Sequence, residues 1–270
     1  MEIPSRILLE GFSYQMAMSK VQLGPIANRL FSPVPWTDDY PASQEWADEL
    51  ETLLEFCDSH GQLRRFLPKL RIPRNKQRDA TLSELRVALF LHRSGFPIAA
   101  WEPPGNNNKE GEYSVRAPEG GIVFTEVKSR GWESEITQVE RLAGRTKQAK
   151  YKEDDPAAYA NWKGMRDCIS DAYSKFTPGG PNLLVIADNF FVSLARTAPW
   201  QINVALFATH DRYGEERGYF ATAAYQNLGA VAVFAAEVSE ILVECRFQIF
   251  QNPYALTETA IPPSLASLCA

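Results

Sequence analysis

Residues 121–130, Gly-Ile-Val-Phe-Thr-Glu-Val-Lys-Ser-Arg, constrain the fold more than any other stretch of this chain. They read as a buried β-strand that nevertheless carries a carboxylate and an ammonium two residues apart. Side chains two apart in a strand share a face. Glu126 and Lys128 therefore point the same way as Ile122 and Phe124, while Val123, Thr125 and Val127 point the other way. A strand apolar on both faces belongs in the middle of a sheet. Charges there are costly unless they are paired or bound to a metal.

The flanking pattern gives this strand neighbours. Residues 43–57 predict a helix with Trp46, Leu50, Leu53, Leu54 and Cys57 on one stripe and an acidic opposite face. Every charge from Arg64 to Arg78 is positive, which suggests a phosphate grip, a solvated face or an intramolecular charge match. A second helix is expected from Leu82 to Ser94, stopped by Gly95. Short strands at Ile98–Trp101 and Glu112–Arg116 follow, and the turn at Glu119-Gly120-Gly121 makes the second of these the partner of the Glu126 strand in a hairpin. The polar region 132–176 reads as helical with a break at Asp154-Asp155-Pro156. Buried strands are expected at 182–188, 230–236 and 241–250. Strands alternating with helices indicate an α/β fold, a central mixed β-sheet flanked by helices. Residues 1–78 are assigned to a mainly helical N-terminal extension and 79–270 to the α/β core.

Composition excludes several classes. The formal charge of -5 argues against a general polyanion binder but leaves room for a local basic groove. Cys57, Cys168, Cys245 and Cys269 lie far apart and form no C-x-x-C pair, which disfavours a structural zinc site and suggests a reduced, cytoplasmic protein. No apolar run is long enough to span a bilayer, and no basic-then-apolar leader opens the chain. There is no P-loop, no G-x-G-x-x-G and no G-x-S-x-G.

Four residues carry the chemistry in order: Glu84 on a helix, Glu112 on the first hairpin strand, and Glu126 and Lys128 on the second. Two carboxylates about 5 Å apart repel by roughly 3 kcal/mol at an effective dielectric of about 20. A divalent cation would offset that repulsion, and Mg²⁺ needs only one or two carboxylates because it keeps several waters. A neighbouring lysine can orient a water and stabilise developing negative charge. The tripeptide alone carries little weight: with 33 acidic residues and ten lysines, about one acid-x-Lys is expected by chance. Its place inside an apolar strand, after a hairpin and a Glu-bearing helix, is what raises it.

The order helix-Glu, strand-acid, turn, Glu-x-Lys strand, helix, buried strand resembles the PD-(D/E)xK nuclease superfamily over roughly residues 80–190, with Phe124-Thr125-Glu126-Val127-Lys128-Ser129 similar to its (D/E)xK strand. The resemblance implies a restriction-endonuclease-like core and a Mg²⁺- or Mn²⁺-dependent nuclease acting on nucleic acid, DNA rather than RNA. It implies Glu112, Glu126 and the Val127 carbonyl as metal ligands, Lys128 as the residue that positions water, and Glu84 as a helper of the metal. Many such nucleases pair, so a homodimer is compatible. Glu112 replaces the usual aspartate and no proline precedes it, with Glu110 a nearby alternative. The superfamily also contains inactive members, so the alternative reading is a non-catalytic module binding nucleic acid or a protein partner. Glu84 has its own rival reading, because Thr81-Leu82-Ser83-Glu84 fits a capping box. Ser129 and Arg130, and Lys147, Gln148 and Lys150, are further candidates for phosphate contact.

Overall fold

The computed structural model describes residues 21–31, 44–71, 75–129, 161–187, 199–209, 217–238 and 243–268. The helices are α1 (Pro25–Phe31), α2 (Gln44–Ser59), α3 (Leu63–Leu70), α4 (Asn75–Arg93), α5 (Asn161–Tyr173), α6 (Pro199–Phe207) and α7 (Pro263–Ala266). The strands are β1 (Ile98–Trp101), β2 (Tyr113–Arg116), β3 (Ile122–Ser129), β4 (Asn182–Ala187), β5 (Ala230–Val238) and β6 (Val243–Gln251).

These six strands form one sheet in the order β1-β2-β3-β4-β5-β6. β1, β2 and β3 make an antiparallel meander. β4 pairs parallel to β3, and β5 parallel to β4. Parallel neighbours need long crossovers, and α5 and α6 lie within the two that this sheet requires. β6 closes the far edge antiparallel to β5. The protein is thus an α/β fold with a mixed sheet, and the Glu126 strand lies inside it, between β2 and β4.

The two faces of β3 divide as alternation requires. Val123 and Val127 join Val87, Ala88 and Leu91 of α4 in one core layer. Phe124 joins Met165, Ile169 and Ala172 of α5 on the opposite face. Because both faces are covered, any charge on β3 is removed from water unless it lies near a strand end.

A third apolar cluster ties the N-terminal helices to α4. Leu50, Leu53 and Leu54 of α2 and Phe66 and Leu70 of α3 pack with Leu82 and Leu85 of α4. Each fully buried leucine contributes about 1.5–3 kcal/mol, so α2 and α3 are anchored to the core. The acidic face of α2 is used locally. Glu49 pairs with Arg86 of α4 at 2.5 Å. Glu51 accepts from the backbone N–H groups of Ile26 and Ala27 at 2.7 and 2.8 Å, capping α1.

Several expectations meet a different structure. The second helix begins at Asn75 and not at Leu82, so Thr81 is interior and Glu84 closes no capping box. The Thr81 hydroxyl donates to the Gln77 carbonyl at 2.8 Å, the back-bond by which threonine is accommodated within a helix. The boundary drawn between 78 and 79 therefore falls inside α4, whose Arg78 and Thr81 are buried. Within the basic run from 64 to 78, Arg78 is buried and Arg65 turns inward to Glu84, as an intramolecular charge match requires. The expected strand at Glu112–Arg116 starts one residue later, with Glu112 in the bend before β2. Arg130, Lys147, Gln148, Lys150 and the break at 154–156 lie outside the described residues. Among the described residues no helix is long and apolar enough to cross a membrane.

Candidate active site

The site forms where the start of β2 meets the end of β3. The antiparallel register pairs Tyr113 with Thr125. Carried one residue further, it sets the Glu112 backbone alongside Glu126. Glycine at 111 permits this approach: a Cβ there would run into the ring of Phe124. The loop from 102 to 110 is latched to the turn after α5. Asn106 N–H donates to the Lys175 carbonyl at 2.8 Å, and Lys109 Nζ bonds Ser174 Oγ at 2.8 Å.

On the β3 side, Glu126 is 0% exposed. Its Oε1 receives two ammonium groups, Lys128 Nζ at 2.8 Å and Lys175 Nζ at 2.5 Å. Its Oε2 has no hydrogen-bond partner among the described residues. Glu126 and Lys128 thus share a face, as expected. Burial opposes the charge on Lys128, but Glu126, the hydrogen bond to it and Glu112 outweigh burial and raise the ammonium above its ordinary value. Lys128 is a charged donor at neutral pH.

On the α4 side, Glu84 lies four residues before Ala88 and seven before Leu91, on the helix stripe that faces the sheet. Arg65 of α3 reaches over it. Its guanidinium is 2.8 Å from Glu84 Oε1 and 3.2 Å from Glu112 Oε2, and it donates to the Glu112 carbonyl at 3.2 Å. Arg65 Nε also lies 3.2 Å from Glu102 Oε1, close enough for an ion pair but without hydrogen-bond alignment. The guanidinium rests on the rings of Phe66 and Trp101, 4.8 and 5.4 Å from their centroids. Glu102 holds φ at 50°, a left-handed backbone that costs a glutamate about 1–2 kcal/mol.

Burial first, then the charge of Glu112 and a hydrogen bond to it, pushes the Glu84 carboxyl up to about 8, against the opposing pull of Lys69 and Arg65. Glu84 therefore keeps its proton near neutral pH. Cys57, beneath them, is pushed to about 12 by burial and then by Glu84, and stays a thiol.

Tyr113 links the two sides. It is wholly buried, and its hydroxyl has no hydrogen-bond partner among the described residues. Burial, then Glu84, Glu112 and Glu126 in that order, hold the phenol well above its usual range, with Arg65 opposing. The phenol thus feels the charge of carboxylates on both sides of the site.

The structure accordingly gathers all four residues singled out in the sequence, but as two linked clusters. Glu84 and Glu112 share Arg65, while Glu126 and Lys128 bond each other. The Val127 side chain packs into the α4-facing core. Sequence reasoning missed Arg65, Glu102, Tyr113 and Lys175. Arg65 was visible only as one charge in a basic run, and Lys175 carried no signal at all. Among the described residues, no group of three His, Cys, Asp or Glu side chains has the spacing to hold a metal ion by itself.

No protein-family model, curated protein or solved structure matches this chain.

Proposed function

We propose that this protein hydrolyses phosphodiester bonds of nucleic acid, DNA rather than RNA, with Mg²⁺ or Mn²⁺ as cofactor. The reading is supported by the order α4, three-stranded meander, α5, parallel β4, which is the order expected for a PD-(D/E)xK core. The observation that carries it is Glu126, a fully buried carboxylate with one oxygen held by two ammonium groups and the other without a partner among the described residues. An unsatisfied buried polar atom costs about 1–3 kcal/mol, more when charged. An arrangement that keeps one is explained if the free oxygen is meant for a ligand.

The donor set suits a hard dication that keeps most of its waters. Glu126 Oε2 would hold it, with Glu112 and the Val127 carbonyl as further oxygens. When bound, such a cation supplies Lewis-acid activation of water and of the phosphate. Lys128 donates from Nζ, orienting the attacking water and stabilising charge that develops on the phosphoryl oxygens. Lys175, less exposed than Lys128 and also on Glu126 Oε1, keeps the carboxylate neutralised when Lys128 turns to substrate. Glu84 lies behind Arg65, protonated near neutral pH and hydrogen-bonded to Glu112, and acts through it.

One observation favours a second reading, a non-catalytic module that binds nucleic acid or a protein. The acidic side chains Glu84, Glu102, Glu112 and Glu126 face four cations (Arg65, Lys69, Lys128, Lys175), so the cluster has no excess of negative charge that demands a metal. Calorimetric titration with Mn²⁺ separates the two. Binding in the wild type that disappears in Glu126→Gln supports hydrolysis. A folded wild type that takes up no Mn²⁺ at millimolar concentration leaves the binding module.

A further inference from the structure

Arg65 comes from outside the meander, on a helix 47 residues before Glu112, yet it is only 11% exposed and reaches Glu84, Glu102 and Glu112. A guanidinium presents a rigid fork of donors suited to carboxylates. Here the fork is spread over Glu84, Glu112 and Glu102, with Phe66 and Trp101 beneath it. The oxygen of Glu112 that it holds is one a dication would need.

We infer that Arg65 is the resident counter-cation of the Glu84–Glu112 pair and that a dication must displace it from Glu112, so that α3 sets the metal threshold of the site. This rests on the hydrolytic reading above. The reasoning is electrostatic. Without a positive charge between them, two carboxylates in hydrogen-bond reach repel, and burial strengthens the repulsion. Arg65 relieves it in the free protein. The same positive charge then opposes an arriving cation, and a shared ligand makes the opposition direct. Linkage requires that whatever loosens Arg65 tightens metal binding by the same factor. Displacement would also free a guanidinium, tethered at the site, whose fork matches a phosphate group.

The test is a calorimetric titration of the full chain with Mn²⁺ alone. Arg65→Gln is expected to bind Mn²⁺ about tenfold tighter than wild type, within the range common for coupled sites. Arg64→Gln removes an exposed charge from the same helix and is expected to change affinity less than about twofold, because exposed charges are screened. Equal tightening in both variants would reduce Arg65 to a general field effect and overturn the inference. Unchanged or weaker binding in Arg65→Gln, with Mn²⁺ still bound by wild type, would overturn it and leave the hydrolytic reading standing. Absence of Mn²⁺ binding in wild type and variant alike would overturn both.

A second measurement does not depend on how the Arg65 variant folds. Arg65 lies over Trp101, so its departure alters that indole's surroundings. Mg²⁺ should change the tryptophan emission of wild type, and the change should vanish in Trp101→Phe. Mg²⁺ that binds without any Trp101-dependent change would show that Arg65 stays in place and would defeat the inference.

Discussion

The two halves of the site solve the same electrostatic problem in opposite ways. On the α4 side three carboxylates share the Arg65 guanidinium, with Lys69 reaching Glu84 alone, at 3.7 Å. On the β3 side one carboxylate, Glu126, serves two cations. The first half has acidic oxygen to spare and keeps a proton on it, since the Glu84 carboxyl is pushed up to about 8 by burial and by Glu112. The second half has positive charge to spare, and its one carboxylate still keeps an oxygen uncommitted. Two such halves joined by a hairpin form a place where charge can be rearranged at small cost, which a fully satisfied ion-pair network would not allow.

If this contrast is right, the hub of each half is the sensitive member. The largest effect is expected for Glu126→Ala, which leaves the half-buried Lys128 and Lys175 facing each other without their shared carboxylate. Removing one partner of a buried pair costs about 3–5 kcal/mol, measurable by urea unfolding. Glu112→Ala leaves Arg65 with Glu84 and Glu102 and should cost clearly less. Equal losses would erase the distinction between hub and spoke.

Glu84 gives the next effect. Its folded value of about 8 lies above the ordinary 4.5, so the native state holds a proton that the unfolded chain has released. Stability of the metal-free protein should therefore fall as pH rises from about 4.5 to about 8, by at most about 5 kcal/mol across the window. Glu84→Gln should flatten that slope. A wild type whose stability instead rises through the same range in chelator would show that Arg65 keeps Glu84 ionised.

Gly111→Ala sharpens the contrast from the hairpin side. The added methyl meets the Phe124 ring and must push the Glu112 bend away from β3. Overpacking of this kind costs about 1–3 kcal/mol, and cleavage should suffer more than stability because Glu112 is displaced. The smallest effect is reserved for Glu102→Gln. Glu102 is the most exposed member of the cluster, and such pairs contribute about 0–1 kcal/mol. A larger loss in thermal unfolding would mean that Arg65 depends on Glu102 more than the geometry implies.

Much of the fold was legible because burial writes itself into alternation. Ile122–Ser129 could be assigned to an interior strand from its two apolar faces, and the glycine turn at 119–121 gave the hairpin that the structure contains. The start of α4 was misread for a physical reason. Thr81, Ser83 and Glu84 have the spacing of a helix cap, but threonine can also satisfy its hydroxyl on the preceding turn, and here it bonds Gln77. Local sequence could not choose between the two. The site residues divide the same way. Glu126 and Lys128 were visible because a charged pair in an apolar strand demands an explanation. Arg65 and Lys175 reach the site from 47 and 49 residues away along the chain, and no local pattern records such a meeting. Tyr113 looked like an ordinary strand aromatic. Only the structure shows it wholly buried, under the charge of Glu84, Glu112 and Glu126.

The measurement that bears most directly on the account is Mg²⁺-dependent cleavage of DNA by wild type and by Lys128→Ala, compared at matched DNA occupancy. Wild type is expected to cut, and Lys128→Ala to bind with similar affinity while cutting about 10²–10³-fold more slowly, the cost of losing one charge-stabilising donor. Cleavage by Lys128→Ala at the wild-type rate would contradict the assignment of chemistry to the Glu126–Lys128 strand.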